Sequence, residues 1–405
     1  MKREGRSVNI AGIVCEYNPM HKSHEYHIAK TRELLGPDCG IICVMSGNFV
    51  QRGDFAVMNK FARARAAVLC GADLVIELPV PWCVSTAEKF ATGAVSILDN
   101  IGVCTHISFG SETGELEPLR EIANYLLDPE IDGLIKDGLK KGVSYAAARQ
   151  RALENLMGRK VPELSSPNDI LAIEYLKALE TLESDINPLA VKREGAEHDS
   201  DYDDEFVSAS FLREKLFLGE NIDSYISDGA RSVINVEISS GRCPVSMKNC
   251  DTAVMARLRS MTDSEYASLP DGSEGLYMRL KSAAYSETCA ADVLEKVHTK
   301  RYPYSRVRRM ILCAYLGVRS DDADGIPPYA RVLAMNKTGQ SILSKMKKVS
   351  SIPVITKPSR VRGLDEDCRY IFDMGSRATD LYTLAYSDPE HRKGYTDYTT
   401  SPFVL

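Results

Sequence analysis

Along the first third of the chain, short apolar runs of strand length alternate with stretches whose apolar positions recur at helical spacing. Val8 to Cys15 is the first run. From Ser23 to Leu35 the apolar residues return every three or four positions, the pattern of a helix with one buried face. Gly40 to Met45 is a second buried run, and Phe61 to Cys70 reads as a helix rich in alanine and arginine. Asp73 to Leu78 predicts a third strand, stopped by Pro79 and Pro81, which cannot continue a ladder. Thr86 to Leu98 is helical again, and Thr105 to Phe109 is a fourth strand ending at Gly110. Strands alternating with helices predict an α/β, Rossmann-like fold: a parallel sheet with helices on both faces. Ligands of such sheets bind outside the carboxyl ends of the strands. His21, Ser46 and Gly110 all fall just past strand ends, so the site is expected on that edge.

Beyond Glu115 the pattern is mostly helical as far as Leu179, with a break near Pro162 to Pro167. Asn187 to Arg193 reads as another strand and Ser208 to Leu216 as another helix, separated by the acidic stretch Asp199 to Glu205. A boundary is expected at the Asp228-Gly229 turn. It divides the chain into 1–228, carrying the nucleotide-type fold, and 229–405, an accessory unit of mixed but mainly helical character.

Composition narrows the function classes. Apolar residues make up 44% of the 405 and charged residues 26%, an ordinary balance for a folded, water-soluble chain. The formal net charge is -6, so the molecule as a whole is no general polyanion binder, and contact with nucleic acid needs locally concentrated cations. Eleven cysteines are scattered without a CxxC pair, which reads as reduced thiols and a cytoplasmic location. Neither a signal peptide nor an apolar span long enough for a membrane is visible. No zinc-type cluster, Walker A segment or G-x-S-x-G elbow is present, and no resident metal site is expected.

His21-Lys22-Ser23-His24 follows the first strand and Pro19. Two histidines three apart on a first helical turn share a face. The free N–H groups and dipole of a helix start favour phosphate. Imidazoles there can stabilise the charge that develops as pyrophosphate leaves. A metal-linked pair or plain surface histidines fit the same spacing. His27 continues the face, Asn18 can hold the turn or touch a nucleotide, and Glu16 projects from the strand end.

Met45 to Asp54, with Ser46, Asn48 and two glycines, reads as a loop where backbone approaches ligand. Lys60 and Arg63, three apart on the next helix, suit an anionic group or a solvated face. Pro167 and Ser166 form an expected helix start, with Asn168 beside them. Arg213 stands in the first turns of the helix after Ser208. Lys300 to Arg309 interleaves cations (Lys300, Arg301, Arg306, Arg309) with Tyr302 and Tyr304. Ser341 to Gly363 carries further Lys and Arg without an acid. Cations grip phosphate while tyrosines stack unpaired bases, so these stretches are candidate RNA contacts.

Taken together, Gly12 to His24, Met45 to Gly53, Gly71 to Pro79, Phe109-Gly110-Ser111-Glu112, Pro167-Asn168, Val191-Lys192-Arg193, Lys300-Arg301-Tyr302 and Tyr329 to Leu333 resemble the bacterial tRNA(Met) cytidine acetate ligases over nearly the whole chain. The resemblance implies a nucleotidyltransferase domain of the HxGH class and an accessory tRNA-holding domain. It implies ATP-driven activation of acetate to acetyl-adenylate, with magnesium on the phosphates, and transfer of the acetyl group to N4 of the wobble cytidine of elongator tRNA(Met). RNA, not DNA or a membrane, is then the partner. ATP would lie along Val14, Cys15, Glu16, Tyr17, Asn18, Pro19, His21, His24 and His27, with Gly110, Asn168 and Arg193 completing the pocket. His21 and His24 would be the catalytic pair. Three positions depart from the pattern: Ser23 for the glycine of HxGH, Met20 for an aromatic residue, and Glu197 for a tyrosine. A small-molecule adenylyltransferase and a catalytically silent RNA-binding relative are the rival functions.

Overall fold

The computed structural model describes residues 8–193, 207–273 and 275–405. Eight strands form the main sheet: β1 (Ile10–Cys15), β2 (Gly40–Ser46), β3 (Leu74–Leu78), β4 (His106–Ser111), β5 (Asn187–Lys192), β6 (Ala330–Met335), β7 (Val354–Ile355) and β8 (Phe403–Val404). The helices that shape the site are α1 (Lys22–Leu35), α2 (Lys60–Leu69), α3 (Ala87–Asn100), α4 (Pro167–Thr181), α5 (Ala209–Leu218), α6 (Tyr304–Leu316) and α7 (Glu366–Thr383). Every strand and helix expected before residue 220 is present, with ends moved by one to two residues. The acidic stretch 199–205 and the Glu197 departure lie outside the described residues.

The strand order is β8-β6-β3-β2-β1-β4-β5, with β7 also paired to β6. β1 runs parallel to β2 from Ile10 opposite Gly40 to Cys15 opposite Met45. Side chains alternate between two cores, as a strand period of two demands. Ile10, Ile42, Val44, Leu74 and Ile76 face the core shared with α3 and α4. Ala11, Ile13, Ile41, Cys43, Met45 and Val75 face the core shared with α1 and α2. Gly12 lets α3 approach the sheet closely, since a Cβ there would fall 2.5 Å from the Leu98 side chain.

The sheet is not purely parallel. β6 pairs antiparallel with β3, with a register irregularity between Val75 and Ile76, and brings β7 and β8 with it. The division expected at 228/229 therefore does not separate the strands: the last 76 residues (330 to 405) return to the first sheet. Locally, β6 is only a short apolar run, so its placement beside β3 carries no sequence signal of its own. All eleven cysteines are free. Among the described residues no helix is long and apolar enough to cross a membrane.

Candidate nucleotide site at the carboxyl edge of the sheet

β1 ends at Cys15, and residues 16–20 turn the chain into α1. Tyr17 adopts the left-handed region (φ 44°), which is costly for a residue with a bulky side chain. The turn is held from three sides. Asn18 Oδ1 accepts the Val57 N–H at 2.7 Å, the Asn18 carbonyl accepts Arg213 Nη1 at 2.8 Å, and the Tyr17 hydroxyl lies 3.3 Å from Cys43 Sγ. The Asn18–Pro19 peptide is cis.

His21 is the N-cap of α1 instead of a residue of its first turn. Its Nδ1 accepts the Ser23 N–H at 3.2 Å, so neutral His21 carries its proton on Nε2, an assignment made from this hydrogen bond. The His21 and His24 rings lie 3.9 Å apart, and the Tyr17 ring packs edge-on to His24 at 4.9 Å. His27 is fixed by a relay. Thr31 Oγ1 gives its one proton to the His27 carbonyl (2.8 Å), so Ser108 donates to Thr31 (2.7 Å) and accepts from His27 Nε2 (2.9 Å). That proton is thus committed to β4.

Burial lowers the pKa of all three histidines. His21 and His27 fall to about 4, with Arg193 adding to both and Arg213 also to His21. His24 lies well below its usual value through burial, then through its two neighbouring histidines and Arg193. At neutral pH the cluster is a set of uncharged donors and acceptors. His24 Nδ1 is buried without a hydrogen-bond partner among the described residues.

The opposite wall is organised by Glu112. Its Oε1 accepts Asn168 Nδ2 at 2.6 Å and Ser166 Oγ at 3.3 Å, and lies 3.9 Å from Arg193 Nε. Asp169 ties the same turn down by accepting Ser111 Oγ at 2.7 Å and the Glu112 N–H at 3.1 Å. Gly110 keeps the gap open, because a Cβ there would meet Arg193 Cγ at 3.3 Å. The third wall is a two-stranded ribbon, Phe49–Val50 and Asp54–Phe55. Its Gln51 N–H donates to Glu16 Oε1 at 2.8 Å. Burial raises the Glu16 pKa, against that N–H and Arg63, which favour the charged form.

These walls enclose a cleft of about 420 Å³. Val14 to Asn18, His21, His24, His27, Gly110, Asn168, Arg193 and Arg213 all line it; Pro19 is buried behind the turn. Arg52, Arg193 and Arg213 reach it from three sides, around the carboxylate of Glu16. Ser23, the departure from HxGH, also lines it and supplies the N–H that orients His21. Met20 is fully buried.

Ser46, Asn48, Lys60 and Arg63, expected near an anionic ligand, do not line the cleft. Ser46 is fully buried. Asn48 accepts the Lys60 N–H at 2.7 Å and donates to Thr379 at 3.0 Å. Lys60 sits between Glu77 (2.6 Å) and Asp397 (2.8 Å) with only 1% of its side chain exposed. Arg63 donates to the carbonyls of Glu16, Ser46, Gly47 and Met58, closing the free acceptors where β1 and β2 end. A buried cation must be paired, and both are paired internally.

The basic run is likewise divided. Arg309 is buried against the Asp271 carboxylate at 2.7 Å, and Arg306 donates to the Asp271 carbonyl at 2.8 and 3.0 Å. Tyr302 is buried, whereas Lys300 and Arg301 are exposed. Two cleft features escaped the residue-by-residue reading: Glu112 as the hub of its wall, and Gln51-Arg52 on the ribbon. Both lie inside the quoted motifs, and a carboxylate at the first position past the fourth strand, two residues after Gly110, is the signal for the first.

Comparison with known proteins identifies the family. The HIGH Nucleotidyl Transferase family model matches residues 8–397. The tRNA(Met) cytidine acetate ligase of Acetivibrio thermocellus is 36% identical over 416 aligned positions, covering 98% of this chain and all of the relative. That of Thermoanaerobacter sp. is 38% identical over 391, covering 94% and 96%. Thermotoga maritima TmcAL, solved with alpha-thio ATP bound, superposes with a TM-score of 0.91 at 33% identity, covering 98% of this chain and all of that one. This chain belongs to the HIGH nucleotidyl transferases and, within them, to the tRNA(Met) cytidine acetate ligase family.

Proposed function

We propose that this chain uses ATP to activate acetate, forming acetyl-adenylate and pyrophosphate, and then transfers the acetyl group to N4 of the wobble cytidine of elongator tRNA(Met). The observation that carries the proposal is the neutral pair of His21, the N-cap of α1, and His24 in its first turn, rings 3.9 Å apart, inside an arginine-lined cleft, in a chain collinear with the ligases. Acetate offers almost no binding handle, so the rate must come from alignment and from charge stabilisation at the leaving group. As an acetate oxygen bonds to the α-phosphorus, the bond to pyrophosphate breaks and negative charge grows on the departing oxygens. The Nε2–H of His21 and the His24 ring can meet that charge at the positive end of the α1 dipole, with Arg193 and Arg213 alongside. In the second half, the cytidine amine attacks the acetyl carbonyl, AMP leaves, and one amine proton is lost.

Magnesium keeps several waters and binds through phosphates with one or two carboxylates. The cleft suits that arrangement. Glu16 is a carboxylate on its floor, and among the described residues no group of three or more His, Cys, Asp or Glu is placed to cage an ion. The metal would screen the phosphates, and Glu16 would be the residue nearest to it by charge. Nucleotide chemistry is assigned to residues 1–228 and RNA holding to 229–405, although β6 to β8 of the latter complete the first sheet.

The test is transfer of radiolabelled acetate to unmodified methionine tRNA, with and without ATP. Label in the tRNA only when ATP is present is the expected result. Pyrophosphate release that ignores acetate but depends on another small substrate would point instead to an adenylyltransferase. Tight tRNA binding without ATP binding would mark a silent relative.

A further inference from the structure

A cytidine that presents its N4 at the mouth of the cleft must leave the nucleotides on either side of it against the protein just outside. The ribbon carrying Gln51 and Arg52 rests directly on α6: at Gly53 (φ 80°) a Cβ would fall 2.4 Å from Arg309 N and 2.7 Å from the Arg308 carbonyl carbon. Only glycine lets the two backbones meet there. α6 is therefore the next surface beyond the cleft wall. Tyr304 begins that helix, four residues before Arg308 and so about 6 Å along the axis.

Tyr304 differs from the other aromatics of the basic run. Tyr302 is buried, and its ring is covered by the guanidinium groups of Arg301 at 5.8 Å and Arg306 at 5.4 Å. Tyr304 is 38% exposed and stacks in parallel on His298, with ring centroids 3.7 Å apart and 11° between planes. Its hydroxyl donates to Glu295 Oε2 at 2.8 Å, which fixes the ring before any ligand arrives. Lys300 and Arg301, exposed, follow His298 by two and three residues, and Arg308, half-buried, lies about one turn along α6 from Tyr304 and acts on it electrostatically. Glu295 is the acid at the hydroxyl end. A preset aromatic ring with its partner behind it, rimmed by cations, has the composition that holds an unpaired base: stacking on one face and phosphates gripped at the edge.

We propose that the Tyr304–His298 stack is a platform for an unpaired base adjacent to the cytidine whose N4 enters the cleft. The inference rests on the proposed acetyl transfer to tRNA and names the element that seats the RNA loop. Stacking on a base is worth roughly 1–3 kcal/mol by side-chain truncation, so loss of the ring should raise the KM for tRNA about 5- to 150-fold.

The experiment uses the full chain and methionine tRNA carrying 2-aminopurine at each position flanking the cytidine. Wild-type protein should quench one of the two labelled tRNAs. Tyr304→Leu should lose that quench and show the raised KM with an unchanged salt slope, and Tyr304→Phe should keep both quench and KM. Lys300→Gln should instead lower the slope of log affinity against log salt by about one ion. Tyr145→Leu, a more exposed tyrosine at the start of another helix, should behave as wild type, and a thermal midpoint near wild type shows that each variant is folded. Quench and KM unchanged in folded Tyr304→Leu, or a loss carried by the salt slope alone, would overturn the platform. If wild-type protein transfers no acetate to the tRNA, the functional reading itself falls.

Discussion

Asp397→Asn should destabilise the whole fold while leaving the nucleotide cleft chemically complete. Asp397 Oδ2 accepts from Lys60 Nζ at 2.8 Å, Arg331 Nη1 at 3.0 Å and Thr379 Oγ1 at 3.0 Å, and its side chain has no exposed surface. Glu77 is the second carboxylate, 2.6 Å from Lys60 and 3.2 Å from Arg331. Two cations thus face two carboxylates inside the protein. Burial alone would raise the Asp397 pKa, but Arg331 and Lys60 outweigh it and hold the group below its usual value. With asparagine in place, two buried cations share one carboxylate. Stranding one partner of a buried pair costs about 3–5 kcal/mol. An unfolding entropy of about 2 cal/mol/K per residue makes this about 4–6 °C in thermal midpoint for a chain of this length unfolding cooperatively. Calorimetry of Asp397→Asn, Lys60→Met and the double variant would measure it, and the double variant should lose less than the sum of the singles by at least about 1 kcal/mol. The KM for ATP should stay near wild type in Lys60→Met. A midpoint shift below about 1 °C in Asp397→Asn, or a raised ATP KM in an undestabilised Lys60→Met, would refute the structural reading of Lys60.

Three further outcomes are expected. His24→Ala should lower acetate-dependent pyrophosphate exchange by about 10²- to 10³-fold while tRNA affinity holds, since one donor to developing charge is removed; exchange at the wild-type rate would remove His24 from the mechanism. Stability should fall as pH drops from 6.5 to 4. Over that window the unfolded chain binds more protons than the folded one, because His27 has a pKa of about 4 when folded. His27 alone accounts for about 3 kcal/mol across that window, and denaturant titrations of His27→Gln that match wild type across the window would contradict its burial as a neutral ring. Gly12→Val should cost on the order of 1–3 kcal/mol by driving α3 off the sheet at Leu98, and an unchanged midpoint would show that the helix shifts freely.

Much of the fold was legible because it is local. A buried parallel strand announces itself as an uninterrupted apolar run, and the prolines after β3 mark where it stops. The cleft was legible for the same reason: Glu16 to His27 is one continuous segment, and its place after β1 follows from chain order. Glu112 was harder. Its importance comes from meeting Ser166, Asn168 and Arg193, which lie more than fifty residues away. Arg306 and Arg309 illustrate the opposite error, since a cation in a basic run is turned inward by one distant aspartate, Asp271.

The sequence by itself determined the alternation of strands and helices, the edge on which a ligand must sit, and the pair of histidines at the start of α1. Each is set by periodicity, by backbone punctuation or by neighbours within a helical turn. Only the tertiary structure decided that β6 returns antiparallel to β3, and that Lys60 and Arg63 hold the interior together instead of facing a ligand. It also decided that His27 spends its Nε2 proton on Ser108. Those outcomes depend on which distant carboxylate, carbonyl or hydroxyl arrives beside each group. A buried charge or donor must find a partner, and chain order does not say where that partner comes from.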